Sequence, residues 1–283
     1  MIIVHKGDSP LILCLPHTGV DIPPAVEARF SATGRMQADI SWRLEQVMEV
    51  GRELGATIIR STVSRYVIDL DHAVEASDVS DVKSLCPTVT LDQKTIYKTD
   101  EEPGPVEAEQ RMLLFYNPFH QALEAEVARL RKMHQQVVVC DSQSVRSRIR
   151  GFIDDELAAL NIGTDGGKSC ADGLRNTFVG SFTGLKGFSV AVDDRFRGGH
   201  ITRKFGQPDR GIHALTLVIA QRCYLRHESP PFEPDKIQVT RLKAVLADGL
   251  ARVVDWAKGH APEDTTPDET PSRENAPPME VAS

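Results

Sequence analysis

Four polar segments, each beside an apolar stretch, carry the side chains that could do chemistry: 16–19, 64–69, 141–147 and 194–203. The first contains His17, and an imidazole can ligate a metal ion or transfer a proton near neutral pH. The other three contain arginines, whose guanidinium groups bind carboxylates through paired hydrogen bonds. The last also contains Gly198-Gly199, a pair that lets the backbone approach a ligand closely. Neither residue type establishes a functional site by itself, because a histidine in this position can be structural and each arginine can brace a surface loop.

The stretches around these segments alternate between strand-like and helix-like patterns. Short apolar runs predict buried strands, and apolar residues repeated on one helical face predict amphipathic helices. The predicted strands are 10–16, 56–60, 64–70, 137–140, 188–192 and 212–219, and the predicted helices are 40–54, 119–133 and 236–256. The glycine-rich stretch 161–167 lacks the Lys-Ser/Thr ending of a P-loop and predicts a turn-rich loop. This order implies an α/β fold, a mostly parallel sheet with helices on both faces, whose ligands bind at the carboxyl ends of the strands.

Length, charge and cysteine content limit the class of protein. The 283 residues suffice for one large α/β domain or two small ones. With 33 basic and 40 acidic residues the net charge is −7, which disfavours nucleic acid or an anionic membrane as the main partner and leaves a small anionic metabolite possible. No apolar run approaches the roughly 18 residues that span a bilayer. The five scattered cysteines form no Cys-x-x-Cys pair, so we expect free thiols and a cytoplasmic protein.

The chain divides unequally by composition. Residues 1–258 predict a single α/β domain, and residues 259–283 are rich in proline and hold six acidic residues against one basic residue. A segment of that composition lacks the apolar side chains that would offset its ordering entropy. We therefore predict a disordered acidic segment over 259–283, after a body that is close to neutral.

Five segments in the same order and spacing closely resemble the N-formylglutamate amidohydrolase (N-formylglutamate deformylase) family of histidine breakdown: PLILCLPHTG, ELGATIIRSTVSRYVIDL, DSQSVRS, NIGTDGGKSC and RFRGGHITRKFGQPDRGIHA. The resemblance covers about residues 8–232. It implies a zinc-carboxypeptidase-like α/β fold and the hydrolysis of N-formyl-L-glutamate to formate and L-glutamate. In such an enzyme a zinc ion held by three ligands would polarise the formamide and supply hydroxide, and a carboxylate would move the proton to the leaving amine.

Carried over residue by residue, the resemblance gives a mixed result. His17 in Pro-His-x-Gly matches the first metal ligand, and Asp39 matches the first Asp of a motif that usually reads Asp-Thr-Asp-Trp. Gln143 stands where Asp-x-His-Ser has its histidine, and Val218 stands where we expect the catalytic glutamate. Glutamine is a much weaker zinc donor than histidine, and valine cannot carry a proton. The residues that the resemblance implies for substrate binding are Arg65, Arg146, Arg195, Arg203 and His213.

Three hypotheses follow. The first is a working zinc deformylase, with the metal held by His17, Asp39 and a substitute such as Asp141, His72 or Gln143. The second is a catalytically impaired paralogue that binds an acidic or N-acyl amino acid through its arginines without turnover and needs no zinc. The third, metal-independent chemistry at Ser144, Cys140 or His213, is disfavoured because spacing aligns no nucleophile with a base and an orienting group.

Overall fold

The computed structural model describes residues 1–74 and 84–259, in which a seven-stranded sheet has the order β1-β3-β2-β4-β7-β5-β6. The predicted acidic segment lies outside the described residues from residue 260 onward. The strands are β1 (Ile2–His5), β2 (Leu11–Leu15), β3 (Thr57–Ser61), β4 (Val137–Val145), β5 (Leu160–Gly163), β6 (Val190–Val192) and β7 (Ile212–Ala220).

The central strands are parallel. β2 pairs in parallel with β3 and with β4, and β4 pairs in parallel with β7. β5 and β6 are parallel to each other, whereas β1 runs antiparallel to β3 and β5 antiparallel to β7. All residues of β2 and nearly all of β4 and β7 are buried, as expected for parallel strands covered on both faces. The carboxyl ends of β2, β3, β4 and β7 therefore meet at one edge of the sheet.

Helices cover both faces. They are α1 (Pro24–Glu27), α2 (Ala32–Met36), α3 (Leu44–Met48), α4 (Pro105–Arg111), α5 (Asn117–Arg131), α6 (Asp172–Gly180), α7 (His200–Phe205) and α8 (Lys236–Gly259). A 3-10 turn, Glu49–Arg52, extends α3, and a π-helical turn, Met112–Tyr116, joins α4 to α5. Side chains of α3, α6 and α8 enter one apolar core, and side chains of α5 and α7 enter the other.

The two cores take alternate residues of β2. Leu11 and Leu13 belong to the first core, and Ile12 and Cys14 belong to the second. Successive side chains of a strand point to opposite faces, so a fully apolar strand such as β2 serves both layers.

The structure confirms the predicted α/β class, with a mostly parallel sheet and helices on both faces. The predicted strand 64–70 is wrong: Ser64 makes an isolated bridge to Gly19, and the chain then turns, with the amides of Val67 and Ile68 donating to the Ser64 carbonyl. The prediction of a loop over 161–167 is wrong for its first residues, which belong to β5. Within residues 1–74 and 84–259, no helix has both the length and the apolar character to cross a membrane.

Because β2 lies inside the sheet between β3 and β4, we predict that the stability of the fold depends strongly on the apolar side chains of β2. Leu13 is fully buried, and we expect Leu13→Ala to lower the free energy of unfolding by about 2 to 5 kcal/mol, because it removes apolar contacts and leaves a cavity. The matched control is Leu113→Ala, whose leucine is 57% exposed and should change stability by less than about 0.5 kcal/mol. Urea unfolding of both variants measures the difference, and equal losses would contradict the central place of β2.

Candidate functional site

The strand register brings three of the predicted site residues together at the carboxyl edge of the sheet. His17 follows β2 by two residues, Gln143 lies near the end of β4, and Val218 lies directly opposite Gln143 in β7. Directly opposed residues of parallel strands direct their side chains to the same face. The pair two residues earlier shows the same arrangement, because Thr216 in β7 donates a hydrogen bond to Asp141 in β4 over 3.3 Å.

His17 is buried and both of its ring nitrogens have partners. Nδ1 lies 3.0 Å from Oε1 of Gln143, and Nε2 lies 2.7 Å from Oδ1 of Asp69. Both ring nitrogens are thus engaged by oxygen atoms of the protein, and neither is open to a metal ion in this arrangement. Burial alone would raise the pKa of Asp69, but the Arg65 guanidinium, 2.5 Å away, and the His17 ring hold that pKa well below its ordinary value.

The Gln143 amide also contacts two carboxylates. Its Nε2 donates to Oδ2 of Asp71 over 2.9 Å and to Oδ2 of Asp141 over 2.8 Å. Asp141 is fully buried, and its Oδ1 has no hydrogen-bond partner. Burial, and then the nearby charge of Asp71, raise the pKa of Asp141 well above its ordinary value.

Asp39 belongs to a neighbouring but separate network. Its Oδ2 accepts from the Tyr66 hydroxyl over 2.8 Å and from the amide of Leu91 over 2.9 Å, and its Oδ1 accepts from Arg146 over 2.9 Å. A main-chain hydrogen bond joins this segment to His17, because the amide of Ser41 donates to the His17 carbonyl. The carboxylate of Asp39 is therefore engaged away from the His17 ring.

These donors do not fit zinc as they are arranged. His17 uses both ring nitrogens, Asp39 is held by three other groups, and Gln143 uses its carbonyl oxygen on His17. In the described part of the chain, no cluster of three or more His, Cys, Asp or Glu side chains is placed to hold a metal ion. His72, considered as a substitute ligand, is exposed and lies 2.8 Å from the hydroxyl of Ser84 instead.

The position expected for the proton carrier is apolar. Val218 is 2% exposed and packs within an apolar core. Cys140, considered as a nucleophile, is buried, and that burial raises the pKa of its thiol to about 12, so the reactive thiolate is scarce at neutral pH. Ser144 shares a hydrogen bond of 2.7 Å with the Tyr224 hydroxyl, which gives it a structural partner.

Four of the five residues predicted to bind substrate separate into two groups. Arg65 and Arg146 lie at the His17 and Asp39 networks. Arg195 and Arg203 are exposed and donate to main-chain carbonyls, those of Phe152 and Gly198.

His213 lies at the opposite end of β7 from Val218. Its ring contacts Gln136 over 2.7 Å, accepts from the amide of Ala171 and meets the Trp256 ring edge-on at 5.0 Å. The structure does not bring His213 to the other predicted site residues.

Two residues that sequence reasoning did not assign complete the site. Asp71 joins Gln143 to α7, because its Oδ1 accepts from the amide of Ile201 over 2.8 Å. Gly199 packs so closely that a Cβ there would overlap the Asp71 carboxylate. The Gly198-Gly199 pair was the available signal, but it allows close approach to Asp71 within the chain.

The chain is similar to proteins of known family. The family model described as N-formylglutamate amidohydrolase matches residues 9–225. An N-formylglutamate deformylase of Pseudomonas putida is 31% identical over 257 residues, covering 88% of this chain and 96% of the relative. The N-formylglutamate deformylase of Pseudomonas aeruginosa is 29% identical over 256 residues, covering 89% of this chain and 96% of the relative.

Two solved structures share the fold. The crystal structure of N-formylglutamate amidohydrolase from Ralstonia eutropha JMP134 has a TM-score of 0.78 at 19% identity, covering 91% of this chain and 98% of that one. A gene product of Agrobacterium tumefaciens has a TM-score of 0.70 at 15% identity, covering 90% and 95%. The mixed sheet and the polar cluster at its carboxyl edge define an α/β protein of hydrolase-like architecture. The chain belongs to the N-formylglutamate amidohydrolase family.

The contact between Gly199 and Asp71 predicts a sensitive position. Gly199→Ala should lower the free energy of unfolding by about 2 kcal/mol or more, because the new methyl group displaces the Asp71 carboxylate from Gln143 and Ile201. The control is Gly180→Ala in α6, where an added Cβ meets nothing within 4 Å and should raise stability by up to about 1 kcal/mol. Urea unfolding compares the two, and similar stabilities would contradict the close contact at Gly199.

Proposed function

We propose that this chain is a non-hydrolytic member of its family that binds a small anionic N-acyl amino acid, with N-formyl-L-glutamate as the first candidate ligand. The observation that carries this proposal is the contact set of Gln143. The amide engages His17, Asp71 and Asp141 at the position where the family resemblance expects a metal-binding histidine.

The chemistry of formamide hydrolysis explains why this contact set matters. A formamide is a poor electrophile, so its hydrolysis needs an activated water and a proton for the leaving amine. Gln143 and Val218 supply neither a strong zinc ligand nor a titratable group. Loss of a general acid or base alone costs typically about 10² to 10⁴ in rate.

Two arginines support the binding half of the proposal. The side chains of Arg65 and Arg146 are 18% and 17% exposed, and in each ion pair they use one terminal nitrogen on a neighbouring carboxylate. A guanidinium has five N–H donors, so each retains donors for a carboxylate of the ligand. Arg195, Arg203 and His213 stay predictions as binding residues, and their positions make them weaker candidates than Arg65 and Arg146.

The proposal also covers partners and location. A ligand with two carboxylates matches two partly exposed guanidinium groups, and we propose a metabolite as the partner, with no role for nucleic acid or a membrane. The five cysteines are buried free thiols, which is typical of proteins from a reducing compartment, and we propose the cytoplasm.

The second candidate function is zinc-dependent hydrolysis of N-formyl-L-glutamate in histidine breakdown. It is favoured by the similarity to two N-formylglutamate deformylases over nearly their whole length. It would require His17 to give up a present hydrogen bond and a ligand other than Gln143 to complete the zinc site.

Metal content and turnover separate the two functions. We expect protein purified with zinc supplied to contain far less than one zinc per chain by elemental analysis. We also expect formate release from N-formyl-L-glutamate no faster than with the His17→Ala variant, because Gln143 and Val218 stand where the third zinc ligand and the proton carrier are expected. Stoichiometric zinc together with turnover well above that of His17→Ala would refute the non-hydrolytic proposal.

Binding is tested by thermal unfolding with added ligand. N-formyl-L-glutamate at about 100 times its Kd should raise Tm by roughly 5 to 10 °C, because a ligand that binds only the folded state stabilises it. Arg146→Ala should abolish most of this shift, and Arg35→Ala, at an exposed arginine of α2, should leave it unchanged. The absence of a shift with glutamate and with N-formyl-L-glutamate would count against this ligand class.

A further inference from the structure

The polar side chains that contact Gln143 come from different segments of the chain. His17 follows β2, Asp71 lies in the segment after β3, and Asp141 lies in β4. We infer that the Gln143 amide replaces the metal ion as the bridge between these segments, so that the site is built to be stable without metal. The inference deepens the proposed function and concerns the same site.

The carbonyl oxygen and both N–H donors of the Gln143 amide have partners. A glutamine side chain has one carbonyl oxygen and two N–H donors. The oxygen accepts from His17, and the two N–H groups donate to Asp71 and Asp141, at distances of 2.8 to 3.0 Å. This is one bond for each partner, in the direction that each partner requires.

Each partner of Gln143 also makes a hydrogen bond to a residue of another segment. Asp71 accepts from the amide of Ile201 in α7, and Asp141 accepts from the hydroxyl of Thr216 in β7. His17 continues to Asp69. The amide therefore links β2, β4, β7 and α7 through intermediates of one residue each.

Charge explains why a neutral donor suits this place. Two carboxylates, those of Asp71 and Asp141, face the same amide nitrogen, and a shared donor offsets the cost of burying them. A carboxylate at position 143 would have the same shape as the amide but would supply no N–H and would add a further carboxylate to the two already there. The substitution Gln143→Glu is thus the closest isosteric test of the bridge.

The test is thermal unfolding of the full chain with and without metal. We expect the Tm of the wild-type protein to change by less than about 1 °C on addition of EDTA or of zinc, because the bridge is an amide. Gln143→Ala and Gln143→Glu should each lower Tm by roughly 5 °C or more. The control, Gln110→Ala at an exposed position of α4, should shift Tm by less than about 1 °C.

A metal-binding variant completes the test without using activity. Gln143→His, and Gln143→His combined with Val218→Glu, should be less stable than wild type in EDTA and should regain several degrees of Tm with zinc. If either variant folds and zinc leaves its Tm unchanged, position 143 is not the metal's place and the inference fails.

Two further results would overturn the bridge. One is a wild-type Tm that falls on chelation together with bound metal, and the other is a Gln143→Ala variant as stable as Gln110→Ala. If Gln143→Ala does not fold, the effect of chelation on wild type and the effect of zinc on Gln143→His still test the bridge. Formate release by the wild-type protein would refute the proposed function but would leave these Tm results unaffected, so the two failures are distinguishable.

Discussion

The burial of carboxylates at the carboxyl edge of the sheet is the interaction on which the rest of the site depends. Asp69 and Asp141 are buried next to Asp71, and each such group requires a hydrogen-bond donor or a cation to offset its lost hydration. The donors come from separate elements: Arg65 and His17 serve Asp69, Thr216 and Gln143 serve Asp141, and Ile201 and Gln143 serve Asp71. The register of β2, β4 and β7 therefore has to be correct before the acids can be buried.

The second constraint is the close approach of α7 to this edge. The amide of Ile201 reaches the Asp71 carboxylate because residue 199 has no side chain, and the same helix places Phe205 in the core beneath α5. Packing on one face of the sheet and hydrogen bonding at its edge thus fix the same helix. This coupling explains why the polar site and the apolar core form one structure rather than a site attached to a scaffold.

Sequence patterns predicted the parts of this arrangement that depend on strand periodicity. The apolar runs predicted β2, β4 and β7, and the family resemblance then placed His17, Gln143 and Val218 at their ends, where the structure has them. The resemblance assigns His213 to the site as well, but His213 is the second residue of β7, and the predicted strand 212–219 already places it far from the carboxyl edge. Asp39 is different: its partners Tyr66, Leu91 and Arg146 come from three other segments, and no local pattern specifies where its carboxylate points.

The two substitutions at the centre of the site are physically coupled. A zinc ion brings two positive charges, which allow several carboxylates and a proton-carrying glutamate to stand close together. Without such a cation, a glutamate at position 218 would add a carboxylate to the face that already holds Asp141 and its neighbour Asp71. Valine there removes that repulsion and joins the apolar core, while glutamine at position 143 supplies the donors that the remaining acids need. Each substitution thus lowers the free-energy cost of the other. This relation is expected when a neutral hydrogen-bonded centre replaces a charged one.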